Sequence, residues 1–400
     1  MTALASKPGP LAGLTILELG EGVSAPYCGK LLAAMGARVI KAEPPGGDVT
    51  RGHGPFPDGN RNPDLSGLFT YLNGGKQSIL LDPANVSSQQ AVQAIADKVD
   101  AVISNWPLAQ LRKLGLDYPA LKARRADAIL LRLSLFGDTG PMADFPAQDL
   151  QAQAMSGVSW AIGDPAREPL SMPLQQGDYQ AGSHGASALL AALYARKRQG
   201  VGQYLDVASA DILSFAAGTN AMIYIYYGLL RWGRAGPRAL GSGGPYPYVI
   251  LPCKDGSVCL IGRARKEWEQ LVEAMGRPAW SNDPRYQDLQ KMGSEYPEEV
   301  DRLITPWLMQ YTRAELLAIG SKFGFPVGPL RSMAEVVETE QFAARGFFTE
   351  VAMADGMKRR VPSPPFRFSR DGLRADAPPP RLGEHGAAVL QEFLGTGVVA

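Results

Sequence analysis

Cysteine and histidine are both scarce in this 400-residue chain, with only Cys28, Cys253, Cys259, His53, His184 and His385 present. An odd number of cysteines without Cys-x-x-Cys spacing excludes a disulfide framework and points to a reducing, cytoplasmic setting. Histidines so dispersed argue against a His-based metal centre. An excess of one charge is also missing. Forty Lys and Arg stand against 39 Asp and Glu, a net +1, which removes the electrostatic case for nucleic acid or an anionic membrane as partner. No apolar run reaches the roughly 18–20 residues that a membrane helix needs. The most apolar stretch, 215–230, is interrupted by Gly218, Asn220 and Gly228. Residues 1–10 carry one lysine and no apolar segment of signal-peptide length.

What the chain does have is 45 glycines and 32 prolines, spread without period among 45% hydrophobic and 20% charged residues. That composition fits an ordered fold with many short, well-punctuated elements. The length suggests two domains, or one with an inserted lobe. Apolar runs at 14–19, 38–42, 78–81, 101–104 and 128–134 read as strands, with helical stretches at 26–35 and 87–98 between them. Strands alternating with helices predict βαβ crossovers and a doubly wound α/β sheet. Further helices are expected over 183–197 and 209–232. Beyond a Gly- and Pro-rich stretch at 233–245, hairpins turning at Lys254-Asp-Gly256 and Ala354-Asp-Gly356 flank helices near 266–275 and 298–310. A last helix is expected near 387–393.

Directly after the first strand stands Gly20-Glu-Gly-Val-Ser-Ala25, a literal GxGxxA, and Glu43 closes the second strand. Such a turn lets backbone approach a pyrophosphate while the acid holds a ribose hydroxyl, which would make the protein an NAD-dependent oxidoreductase. The same residues also serve as a tight strand-to-helix turn, with Pro26 at the helix start. No second set of dehydrogenase residues accompanies the motif.

The chain resembles the family III (CaiB/BaiF-type) CoA-transferases, which include the formyl-CoA and carnitine CoA-transferases. Residues 9–19, Gly36-Ala-Arg-Val-Ile-Lys-Ala-Glu-Pro44, Gly47-Asp-Val-Thr-Arg51 and Asn73-Gly-Gly-Lys76 carry the likeness. Gly137-Asp-Thr-Gly-Pro141, Lys197-Arg-Gln-Gly200, Gly328-Pro329 and Leu382-Gly-Glu-His385 extend it to the C-terminus. The resemblance implies a Rossmann-like large domain with a smaller α+β lobe, in an interlocked homodimer. The expected division is 1–225, 226–325 and a returning segment 326–400. It further implies that Asp178, in Gln176-Gly-Asp-Tyr179, is the nucleophile. Asp178 would form a mixed anhydride and then an aspartyl-CoA thioester, moving CoA from an acyl-CoA, with succinyl-CoA one donor, to a free carboxylic acid. CoA thioester is thus substrate, with no tightly bound cofactor and no metal. The plain alternative for Asp178 is a helix N-cap, and both roles can coexist.

By the same resemblance Val23, Ser24, Leu81, Asp82, Asn105, Trp106 and Lys113 would contact CoA, although Arg112 and Lys113 equally fit a solvated helix face. Asp149 would be an auxiliary carboxylate or a structural cap. Gly241-Ser-Gly-Gly244 would be a mobile lid over the intermediates, with Gly243 and Gly244 as auxiliary residues, or simply a linker. Val23 and Pro44 depart from the formyl-CoA branch, which carries Gln and a phosphate-binding Arg there, and Val23 favours a more apolar acyl group. An α-methylacyl-CoA racemase is the nearest rival, but its Gly-His-Asp is Ala147-Gln-Asp149 here. His184 is expected as a packed core histidine, and His385 belongs to the structural terminal motif. A non-catalytic partner subunit would have lost the aspartate that this chain keeps.

Overall fold

The computed structural model describes residues 8–230, 233–238 and 244–395. Its contacts divide the chain into two units: Met1–Ser156, Pro173–Phe215 and Glu340–Ala400 form one, Gly157–Met172 and Ala216–Thr339 the other.

In the first unit six strands make one sheet: β1 (Thr15–Leu19), β2 (Arg38–Glu43), β3 (Gln77–Leu80), β4 (Ala101–Ser104), β5 (Leu130–Ser134) and β6 (Tyr204–Ala208). Every pairing is parallel, in the order β3-β2-β1-β4-β5-β6. Successive side chains of a strand face opposite ways, and a parallel sheet covered on both sides buries both sets. Accordingly Ile16, Val39, Ile103 and Leu131 enter one core, while Leu17, Ile40, Val102 and Leu130 enter a second. The connecting helices are α1 (Ser24–Ala34), α2 (Gly67–Asn73), α3 (Val86–Ala96), α4 (Leu108–Lys113), α5 (Tyr118–Arg124) and α6 (Asp149–Met155). After the four-residue α7 (Val158–Ala161) of the second unit comes α8 (Gln176–Gln199), whose Leu189 and Leu193 join α1 in the first core. The strand order reverses between β1 and β4, and ligands of open α/β sheets bind at the strand ends there.

Three expectations change. The helix anticipated over 183–197 begins at Gln176, because Gly182 and Gly185 pack against neighbours where apolar periodicity would show larger residues. The helix anticipated over 209–232 breaks at Ala217 into α9 (Ser209–Ala216) and α10 (Gly218–Tyr227), and Gly228 ends the second in a left-handed conformation. Strand β6, five residues in a short polar-flanked segment, was not anticipated.

The second unit has its own core around Tyr246, Trp268, Ile304 and Leu316. Its hairpin Tyr248–Cys253 and Gly256–Ile261 turns at Lys254-Asp-Gly256, with Val327–Pro329 as third strand. Where the expected division put 226–325, this unit spans 216–339 and recruits 157–172. An Arg313–Glu335 ion pair at 2.7 Å holds the later residues, and the Gly236 N–H donating to Gly163 O at 3.0 Å holds the earlier ones. The second hairpin, Phe348–Ala352 with Lys358–Pro362, belongs to the first unit, as does the closing helix Gly386–Leu394.

Candidate active site

The turn from β1 to α1 is stitched from below and from the side. Asn105, just past β4, accepts from Glu21 N–H at 3.1 Å through Oδ1, while its Nδ2 donates to Glu21 O at 2.7 Å and Ser24 Oγ at 3.0 Å. A Cβ on Gly20 would lie 2.7 Å from that Oδ1, so only glycine admits the contact. Underneath, three carboxylates and three cations are buried together. Lys41 Nζ donates to Glu18 at 2.9 Å, Asp48 at 2.7 Å and Gly20 O at 2.7 Å. Lys76 reaches the other oxygen of Glu18 at 2.7 Å.

Glu43 completes the network. It accepts from Arg51 Nε at 2.7 Å, Arg51 Nη2 at 2.8 Å and Ser78 Oγ at 2.6 Å. Against its burial, Arg51 holds this carboxyl below the usual range. A fully buried, saturated acid cannot take a ribose hydroxyl, so the dinucleotide reading of GxGxxA loses its second element. His385 and Gly383 of the C-terminal motif brace Ser78 in turn.

Asp178 sits in the first turn of α8. Two non-glycine residues before that helix, Leu174 (φ 63°) and Gln175 (φ 54°), are left-handed, a costly conformation that aims the chain end. The Asp178 N–H donates to Asp149 Oδ1 at 2.9 Å, and a Cβ on Gly177 would lie 2.6 Å from the same oxygen. Asp178 has no cationic partner among the described residues. Burial first, and the Asp149 charge second, push its carboxyl up to about 7. Behind it Tyr179 packs edge-on against Tyr27, their centroids 5.0 Å apart.

Asp178 and Asp149 line a cavity of 790 Å³ together with Val23, Ser24, Asn105 and Trp106. That size accommodates a large cofactor-like ligand. Of the other anticipated residues, Leu81 is in the second core, Asp82 turns its carboxylate onto the Ala84 N–H at 2.9 Å, and neither lines the cavity. Lys113 is exposed away from it. Arg112 lines it instead, because Leu108 and Arg112 share a face of α4 four residues apart and Lys113 falls on the next. That spacing was the available signal, and the Arg112 side chain has no partner among the described residues. His53 also lines the cavity and was not anticipated there. His184 is exposed rather than packed in a core, its Nδ1 2.9 Å from Gln180 O. Gly243 lies outside the described residues, and Gly244 belongs to the second unit. Among the described residues no cluster of three or more His, Cys, Asp or Glu could hold a metal, and no helix is long and apolar enough to cross a membrane.

The cavity at the strand ends is thus lined by a carboxylate that has no cationic partner among the described residues. The sequence model of CoA-transferase family III matches residues 11–386. The chain belongs to that family. It is 32% identical to a succinate–glutarate CoA-transferase of Agrobacterium fabrum, covering 98% of each chain. It is 31% identical to a succinyl-CoA–D-citramalate CoA-transferase of Chloroflexus aurantiacus, covering 97% of this chain and 95% of the relative. Among solved structures, a CaiB/BaiF family protein from Brucella suis superposes with a TM-score of 0.85 at 31% identity, over 97% of this chain and 100% of that one. This family III member is therefore a CoA-transferase, an enzyme with CoA thioesters as substrates.

Proposed function

We propose that the enzyme moves CoA between an acyl-CoA and a free carboxylic acid through covalent intermediates on Asp178. The carrying observation is a carboxylate at a helix start, free of cationic partners, lining the cavity with Val23, Ser24 and Asn105. An Asp178 Oδ attacks the donor thioester carbonyl, the C–S bond breaks, and CoA leaves as thiolate with an aspartyl-acyl anhydride behind it. The thiolate attacks the aspartyl carbonyl, giving aspartyl-CoA thioester and the free donor acid. The acceptor carboxylate then attacks that thioester, and the released thiolate takes the new acyl group. Division into exchanges of comparable energy is the gain of covalent catalysis. The N-terminal dipole of α8 favours the charge developing there.

Arg112 supplies a cation for a CoA phosphate, and Val23 lines the cavity as an apolar side chain. The two relatives named above act on succinate or succinyl-CoA, which makes succinyl-CoA the first donor to try, with a dicarboxylic acid as acceptor. No bound cofactor is needed. Three free cysteines fit a cytoplasmic setting. An interlocked homodimer is the assembly we propose, supported by the apolar surface that α10 leaves open. Asp178→Ala should abolish exchange of labelled CoA while CoA still binds. Hydroxylamine with donor acyl-CoA should mark Asp178, and residual exchange or a mark elsewhere would sink the assignment.

A further inference from the structure

Gln153 lies one turn beyond Asp149 on α6 and is 1% exposed. Its Nε2 donates to Asp149 Oδ2 at 2.5 Å. The opposite oxygen, Oδ1, receives the Asp178 N–H. One carboxylate is thus gripped from both sides, by an amide on its own helix and by the backbone of the residue that we assign as nucleophile. Gly177 leaves the room for that approach. We infer that Gln153 is a positioning residue: its amide fixes the rotamer of Asp149, and through Asp149 the first turn of α8 that carries Asp178. The inference rests on Asp178 being the nucleophile.

A carboxylate held close to a second one favours the protonated form of that second group. Burial first, and the Asp149 charge that Gln153 holds in place second, raise the Asp178 carboxyl. Tyr179 of α8, next to Asp178 in sequence, packs against Tyr27 of α1, and Glu21, His53, Arg112, Asp144 and the Arg132–Asp138 ion pair line the same cavity. Among the described residues none of these side chains donates to the Asp149 carboxylate, whereas Gln153 does.

Gln153→Met keeps the volume and removes the donor. It should lower kcat about ten- to a hundredfold through loss of geometry. It should also move the acid limb of the pH–rate profile to lower pH by about one unit, because the Asp149 charge is no longer held against Asp178. KM for the acyl-CoA should stay. Gln153→Asn keeps an amide that is too short to reach, and should behave alike if the methionine variant folds poorly. In an Asp149→Asn background, Gln153→Met should shift the limb no further, since coupled residues are non-additive. A Gln153 variant with an unmoved acid limb, or an undiminished shift in the Asp149→Asn background, overturns the inference. Exchange surviving in Asp178→Ala would instead overturn the nucleophile assignment itself, so the two failures are distinguishable.

Discussion

At the scale of single residues, Asp178 trades stability for reactivity. Its folded carboxyl titrates near 7, well above the unfolded value of about 3.9. Between those values the folded state holds the extra proton, so stability contributed by this residue is full below pH 4 and falls as pH rises toward 7. Asp178→Asn removes that cost. It should raise stability at pH 8 by about 1–3 kcal/mol, measured by urea unfolding, and lose the gain at pH 4. A variant that is less stable at pH 8 would show that the carboxylate is solvated instead. If Asp178 is the nucleophile we propose, it must be ionised to react, so the rate of hydroxylamine trapping should climb with pH through about 7. Arg112 offers a contrasting test. Arg112→Ala should raise KM for acyl-CoA about tenfold, more at low salt, while Lys113→Ala on the neighbouring helix face changes it little.

At the scale of elements, the buried charges under the Gly20 turn carry the next prediction. Lys41 neutralises Glu18 and Asp48 and holds the Gly20 carbonyl, all at full burial. Removing one member of such a set strands its partners, so Lys41→Met should cost about 3–5 kcal/mol in urea unfolding. Loss below 1 kcal/mol would mean that water reaches the network. These charges also mark what a sequence can hide. The strands β1, β2 and β4 were legible from apolar runs, since a parallel sheet buried on both faces writes itself as hydrophobic residues. Glu18, Lys41 and Glu43 interrupt those runs, and nothing local tells a ribose-binding acid from an ion-paired one. Only Arg51 and Ser78, brought together by the fold, decide it. Asp178 was singled out through family motifs, and its role as nucleophile is our proposal. Gln153, which bonds Asp149, was not singled out, because a hydrogen bond that acts through another side chain leaves no motif.

At the scale of the whole molecule, the unexplained feature is α10. Helices apolar on all sides are normally buried, yet no residue of α10 is buried in the single chain. Ile225, Tyr226 and Tyr227 are 69%, 73% and 72% exposed, and Leu230 beyond them 72%. Contiguous apolar surface of this kind marks an interface, and tyrosines dominate such interfaces because each buries a large ring with few rotatable bonds. A second copy is the cover we propose. Tyr226→Glu combined with Ile225→Asp places two charges where the interface core would be, and a charge buried without a partner is costly. Sedimentation should then show monomer where the parent chain shows dimer. Activity should fall with the dimer, and should not return on raising substrate. A doubly substituted chain that remains dimeric would place the interface elsewhere and leave α10 without its proposed partner.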